Sequence, residues 1–146
     1  MIRVVVSAER IDVAAELEVV EPVGAGGIAT FTGIVRSDDG VGTLELEHYP
    51  GMTERALTAI AEEAAGRWAL LGAVIVHRVG PMVPGDQIVF VAAAAPHRGA
   101  ALEACAYLID RLKTDAPFWK REQRGAAATW VAARDSDDAA AARWQS

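Results

Sequence analysis

Three places in the chain carry residues whose type and spacing suit the handling of an anion or an acyl group. Lys113 and Lys120 bracket a corner, Lys113-Thr114-Asp115-Ala116-Pro117-Phe118-Trp119-Lys120-Arg121-Glu122, in which an Ala-rich helix stops and a charged, aromatic segment follows. His97-Arg98 stands where an apolar run ends and that Ala-rich helix begins. Arg36 follows the apolar run Ile28 to Val35. An amine can act as base, nucleophile or close-range cation. A His-Arg pair at a helix N-terminus adds a guanidinium fork to free N–H groups and a positive dipole end, which favours phosphate or carboxylate. An arginine at a strand's exit combines a fixed backbone with a side chain free to reach a ligand.

Each of these has a plainer reading. Counting back from Lys113 at ~100° per residue, Leu102, Ala106 and Ile109 lie within roughly 40° of it, which puts the lysine on an apolar helix face. It is then either a snorkelling lysine near the helix C-terminus or a partly desolvated amine active at neutral pH. His97-Arg98 could equally be a simple junction, and Arg36 a surface arginine. The two ends of the helix are roughly 20 Å apart at 1.5 Å per residue. If both serve one small ligand, a second copy of the chain must bring them together.

The elements that would hold these residues follow from periodicity and turn chemistry. Strands are predicted at Met1 to Ser7, Ile28 to Val35, Thr43 to Tyr49, Ala73 to Val79, Gln87 to Ala95 and Ala128 to Arg134. The strand from Ile28 is expected to be central, as is Ile88 to Ala95, which is apolar nearly throughout and should be covered on both faces. The strands from Ala73 and Gln87 should pair antiparallel across Pro84-Gly85. Helices are predicted over Ile11 to Glu21, begun by Asp12, over Glu54 to Trp68 with Thr53 as cap, and from His97-Arg98 to Lys113. Gly24-Ala25-Gly26-Gly27 lacks the Lys-Ser/Thr ending of a phosphate-cradling loop and leads into a strand, so it reads as a turn. The segment Ser37-Asp38-Asp39-Gly40 is a polar loop. His48 falls on the apolar side of its strand, and His77-Arg78 is either an anion contact or, the favoured expectation, a solvent-facing strand edge. Asp135 to Ser146 is either a short capped helix or a disordered tail.

With 146 residues and 52% hydrophobic content, one compact domain over 1–146 is expected. A net charge of -6 and a pI near 5.0 argue against a general nucleic-acid binder, so any cationic site is local. The N-terminal apolar run is too short for a secretory leader and no stretch reaches spanning length, which points to no membrane segment and to the cytoplasm. The lone Cys105 shares a helix face with Leu102, Ile109 and Leu112 and reads as core.

Thr30-Phe31-Thr32-Gly33-Ile34-Val35-Arg36, Leu46-Glu47-His48-Tyr49-Pro50-Gly51-Met52, Val76-His77-Arg78-Val79-Gly80, Pro84-Gly85-Asp86, His97-Arg98 and Leu112 to Glu122, in this order, resemble the large, catalytic subunit of molybdopterin synthase. The resemblance spans nearly the whole chain. It implies an α/β (α+β) fold, a hammerhead-like α/β core with an added antiparallel β subdomain. It further implies a homodimer that receives a small ubiquitin-like sulfur-carrier subunit at each end, a heterotetramer in all. The implied enzyme is a sulfurtransferase of molybdenum cofactor biosynthesis. Two sulfurs pass from the carrier's C-terminal Gly-Gly thiocarboxylate to cyclic pyranopterin monophosphate, giving the molybdopterin dithiolene, with no metal and no further cofactor needed for the step. Lys113 is then the implied catalytic amine at the carrier's terminal carbonyl and Lys120 its partner in binding or proton transfer. Arg36, His97 and Arg98 would hold the phosphate and pterin, with Ile34, Val35, Arg121 and Glu122 lining the same site. The family often has a lysine where Ile34 stands, which leaves residue 34 its backbone to contribute. Phe118 and Trp119 either stack on the pterin or, the favoured expectation, close the core. Two other classes fit the residues: a non-catalytic dimeric scaffold that binds a ubiquitin-like tail or an anionic metabolite, and a transferase that uses Lys113 as an imine-forming nucleophile.

Overall fold

Apolar residues at period two and period 3.6 sort the described residues into two sheets and four α-helices. The computed structural model describes residues 1–36, 42–124, 127–131 and 135–144, so the predicted loop Ser37 to Gly40 and the end of the last predicted strand, 132–134, lie outside the described residues. In chain order the elements are β1 (Ile2–Ser7), α1 (Val13–Val20), β2 (Gly27–Ile34), β3 (Thr43–His48), α2 (Met52–Trp68), β4 (Gly72–Arg78), β5 (Gly80–Met82), β6 (Gln87–Ala95), α3 (Arg98–Asp115), β7 (Phe118–Arg124), β8 (Ala127–Val131) and α4 (Asp135–Ala142). One sheet has the order β1-β4-β6-β2, with β1 parallel to β4 and the other pairs antiparallel. The other, β5-β3-β7-β8, is antiparallel throughout. The architecture is the expected mixed α/β core with an antiparallel addition.

β6 shows how the core is divided. Because successive side chains point to opposite faces, Val89, Val91, Ala93 and Ala95 pack with Leu57, Ile60 and Ala61 of α2 and Ala104, Cys105 and Leu108 of α3. Phe90, Ala92 and Ala94 pack on the other face with Val20 of α1. A strand apolar from Ile88 to Ala95 is thus covered on both sides, as its composition predicted. α1 begins where predicted, with Asp12 Oδ1 accepting the Ala15 N–H at 3.1 Å. Arg3 of β1 holds α1 through a two-pronged bond to Glu16, at 2.8 and 2.9 Å.

Two expectations fail for identifiable reasons. β2 is an edge strand, and its Phe31 and Ile34 are 40% and 48% exposed. β-branched and aromatic content reports a pleated, half-buried surface, not a position within the sheet. The charged, aromatic segment after the helix, not predicted as a strand, is β7; its run Lys120-Arg121-Glu122 lacks an apolar signature, and of these Arg121 faces a charged partner, Glu45 of β3. The tail forms α4, after which Trp144 docks against Trp68 and Tyr107 and donates Nε1–H to Asp110 Oδ2 at 2.6 Å. Among the described residues no helix is long and apolar enough to cross a membrane.

Thr53 does not cap α2. The cap is Gly51, whose N–H donates to Glu54 Oε1 at 3.0 Å and whose φ of +84° suits glycine. Thr53 is fully buried instead, its hydroxyl accepting the Tyr49 N–H at 3.0 Å and donating to the Pro117 carbonyl at 2.9 Å. It ties the end of β3 to the residue that precedes β7. Thr53→Val keeps the shape but strands both backbone groups, and is expected to cost about 2 kcal/mol in urea unfolding. Thr53→Ser, which keeps both bonds, is expected to cost about 1 kcal/mol, chiefly for the lost methyl.

Candidate functional site at the lysine corner

The corner is built by the abrupt end of α3. Ala116 leaves the helix in an extended conformation, Pro117 follows, and β7 starts at once beside β3. The buried stripe of α3 runs through Ala101, Ala104, Cys105, Leu108 and Leu112. Lys113 stands one residue beyond it and is exposed, on a flank whose Leu102 is 62% exposed. The fold of a single chain therefore does not desolvate this amine, contrary to the expectation from its helical neighbours. Period counting had taken a second, half-covered stripe for the core face. Desolvation of Lys113 has to come from whatever docks there.

Lys120 sits directly opposite Leu46 in the β3/β7 register, and Phe118 opposite His48. Paired residues share a face, so Phe118 and Lys120 lie on the side of the sheet where Leu46 is buried. Phe118 packs into both adjoining cores, as expected. Trp119 does not. It points to the other face, is 38% exposed and meets Tyr49 edge-on with ring centroids 4.2 Å apart. Arg121 alternates to that same outer face, opposite Glu45, and is exposed, so it turns away from the side that carries Lys120. Glu122 pairs with Leu44 in the backbone register; its side chain lies outside the described part.

The residue that the corner closes over is His77, which had read as a solvent-facing strand edge. It is 6% exposed, stacked on Phe118 with centroids 4.0 Å apart and planes 26° from parallel, and its Nδ1 lies 2.9 Å from the Arg78 carbonyl. Burial, and then the charges of Lys120, Lys113 and His48, hold its pKa down at about 4. Both lysines thus act electrostatically on one buried imidazole. The signal was available, since Ala73 to Val76 are apolar at every position and a strand covered on both faces buries its ends too.

The other candidates lie elsewhere in the chain. His97 caps α3 without a side-chain bond, and both it and Arg98 are exposed. From Arg98 to Lys113 the axis rises about 22 Å. The glycine run serves this junction by close approach: a β-carbon on Gly26 would fall 2.1 Å from the Pro96 carbonyl oxygen. At the end of β2, Val35 is not a ligand position. It is 6% exposed among Leu44, Leu46, Val79 and Met82, and its N–H and C=O bond to Asp86 and Gly85 at 2.8 and 2.9 Å. The Pro84-Gly85-Asp86 turn thus staples the strand's exit, and Ile34 and Arg36 project from it exposed. Cys105 is buried, and burial pushes its thiol up to about 11, so it cannot serve as a thiolate at neutral pH. Among the described residues no group of His, Cys, Asp and Glu could hold a metal ion.

Comparison with known proteins gives a consistent result. The MoaE protein family matches residues 6–115. The molybdopterin synthase catalytic subunit of Cereibacter sphaeroides is 50% identical over 145 residues, covering 97% of this chain and 99% of that one. The subunit of the same name from Escherichia coli (strain K12) is 52% identical over 122 residues, covering 82% and 81%. Among solved structures, the molybdopterin biosynthesis MoaE protein from Burkholderia ambifaria MC40-6 superposes with a TM-score of 0.86 at 47% identity, over 99% of this chain and 98% of that one.

The His77 geometry fixes the sign of a pH effect on stability. A histidine at its ordinary 6.5 when unfolded and about 4 when folded binds more protons in the unfolded chain between those values. Its contribution is fully present above about pH 6.5 and is lost as the pH falls toward 4, up to about 3 kcal/mol. Urea unfolding from pH 7.5 to 4.5 is expected to show this decline, and His77→Phe to flatten it.

Proposed function

The chain belongs to the MoaE protein family, and from that premise we propose how its residues carry out the family's reaction. It is a sulfurtransferase of molybdenum cofactor biosynthesis, the catalytic subunit of a molybdopterin synthase that works with a small sulfur-carrier subunit. Lys113 presents its amine to the terminal carbonyl of the carrier's thiocarboxylate, and Lys120 is its partner in binding or proton transfer. As water adds to the carrier's acyl carbon and the acyl–sulfur bond breaks, leaving a carboxylate on the tail and sulfur on the pterin, an adjacent ammonium stabilises negative charge on the carbonyl oxygen, and the entering tail supplies the desolvation that a single chain lacks. Arg36 together with the partner subunit's His97 and Arg98 holds the phosphate and pterin. The working assembly is a homodimer with a carrier at each end, in the cytoplasm.

The observation that carries this reading is that α3 ends and β7 begins across Pro117, placing Lys113 and Lys120 at one corner where both act electrostatically on buried His77, with His97 and Arg98 a helix length away. Cys105 supports it as well: a thiol pushed up to about 11 is a poor sulfur relay, in keeping with sulfur that arrives on the carrier and passes directly to the pterin. An acidic chain with a local cationic corner suits two anionic reactants. Arg121 contributes at the outer face of its sheet, and Ile34 through its backbone.

Incubation with thiocarboxylated carrier and the cyclic precursor should give dithiolene product in a single turnover. Carrier binding without product would leave a scaffold, and borohydride trapping of a Lys113 adduct would mark imine chemistry. Lys113→Ala is expected to abolish transfer with carrier affinity and fold intact. Lys113→Arg should not rescue it, because a guanidinium neither deprotonates in this range nor takes up the geometry of an ammonium. Wild-type turnover in Lys113→Arg would mean that fixed positive charge suffices. Mixing Lys113→Ala with Arg98→Ala chains is expected to recover part of the activity through mixed dimers holding one intact site, whereas mixed dimers as inactive as either parent would refute a shared site.

A further inference from the structure

We propose that His77 is a positioning residue for this reaction: its buried ring, stacked on Phe118 and tied to the Arg78 carbonyl, sets where β7 presents Lys120. The inference rests on the functional reading above.

The mechanical half of the argument runs along β7. Phe118 and Lys120 are two residues apart and share a face, so fixing the Phe118 ring fixes the origin of the Lys120 side chain. The ring is fixed from below by the imidazole, 4.0 Å between centroids, while Thr53 holds the preceding Pro117 carbonyl at 2.9 Å. Both contacts bear on the first residues of the strand. Without the imidazole, Phe118 would lose its stacking surface at the seam between the two sheets and could turn to other rotamers.

The electrostatic half concerns what surrounds the ring. A carbonyl only accepts, so the 2.9 Å contact places the proton on Nδ1 and leaves Nε2 a lone pair. The charged or titratable groups acting on the ring are Lys120 of β7, Lys113 of α3 and His48 of β3. Its register partners on β1 and β6, Val6 and Val89, are apolar. Among the described residues no carboxylate is named among the groups that act on it. A protonated His77 would therefore be a further buried cation beside two ammonium groups and would push them apart. The neutral ring lets both approach one carbonyl.

The test has one readout of position and one of charge. His77→Ala is expected to lower the single-turnover rate about tenfold or more with carrier affinity unchanged, and His77→Phe, which keeps a ring on Phe118, to restore most of that rate. Reductive methylation with 13C-labelled formaldehyde gives lysine methyl signals, assigned by Lys113→Arg and Lys120→Arg. In wild-type protein both signals should show an inflection below about pH 5, as His77 gains its proton, and His77→Phe should remove it. Wild-type turnover in His77→Ala, or identical lysine titrations in wild type and His77→Phe, would overturn the proposal. If His77→Ala does not fold, the titration still decides. If wild-type protein makes no dithiolene, the functional reading falls, while the titration continues to report on His77.

Discussion

The lysine corner depends on a buried seam where two sheets meet. β4 belongs to one sheet and leads directly into β5 of the other, and His77 stands just before that passage. The imidazole is apolar enough in its neutral form to stack on Phe118 and polar enough to bond the Arg78 carbonyl at 2.9 Å. A phenyl ring could not make that bond, and an aliphatic chain would offer no flat surface. Thr53 completes the seam from α2 by satisfying the Tyr49 N–H and the Pro117 carbonyl together. The register of β7 against β3, and hence the face on which Lys120 emerges, follows from these contacts.

A second constraint is the rigidity of α3. An 18-residue helix cannot be shortened, so residues at its two ends stay about 22 Å apart whatever the side chains do. Packing of Ala104, Cys105 and Leu108 against β6 fixes the helix to the core, and the glycine run brings the start of β2 within contact of Pro96 and Arg98. His97-Arg98 and Lys113 are thus held as separately as two sites on a rigid rod. A pocket that uses both is built across two copies of the chain.

Charge is distributed in keeping with that arrangement. The chain carries a net charge of -6, yet Lys113, Lys120, Arg36 and Arg98 are all exposed. Charge at those positions stays in water until a ligand or partner covers it, which spares the isolated chain the cost of burying cations. The single thiol is treated in the opposite way, buried in the core and kept protonated. For a protein whose family handles sulfur, this removes the protein's own sulfur from the chemistry.

Most of the element boundaries were legible in the chain because they rest on local physics. Asp12 caps α1, β6 is apolar from Ile88 to Ala95 and lies between two cores, and the helix from Arg98 ends where Pro117 forbids its continuation. The family motifs were legible for the same reason, being contiguous runs of residues. What depended on tertiary structure was anything set by a partner strand or by depth. β2 reads as a central strand but is an edge, since composition does not encode a neighbour's absence. Lys113 reads as a core-facing amine but is exposed, since periodicity cannot tell which of two adjacent apolar stripes meets the sheet. Thr53 reads as a cap and His77 as a surface residue. Both gain their roles from Pro117 and Phe118, distant in sequence, and only the closing of one sheet on the other brings them together.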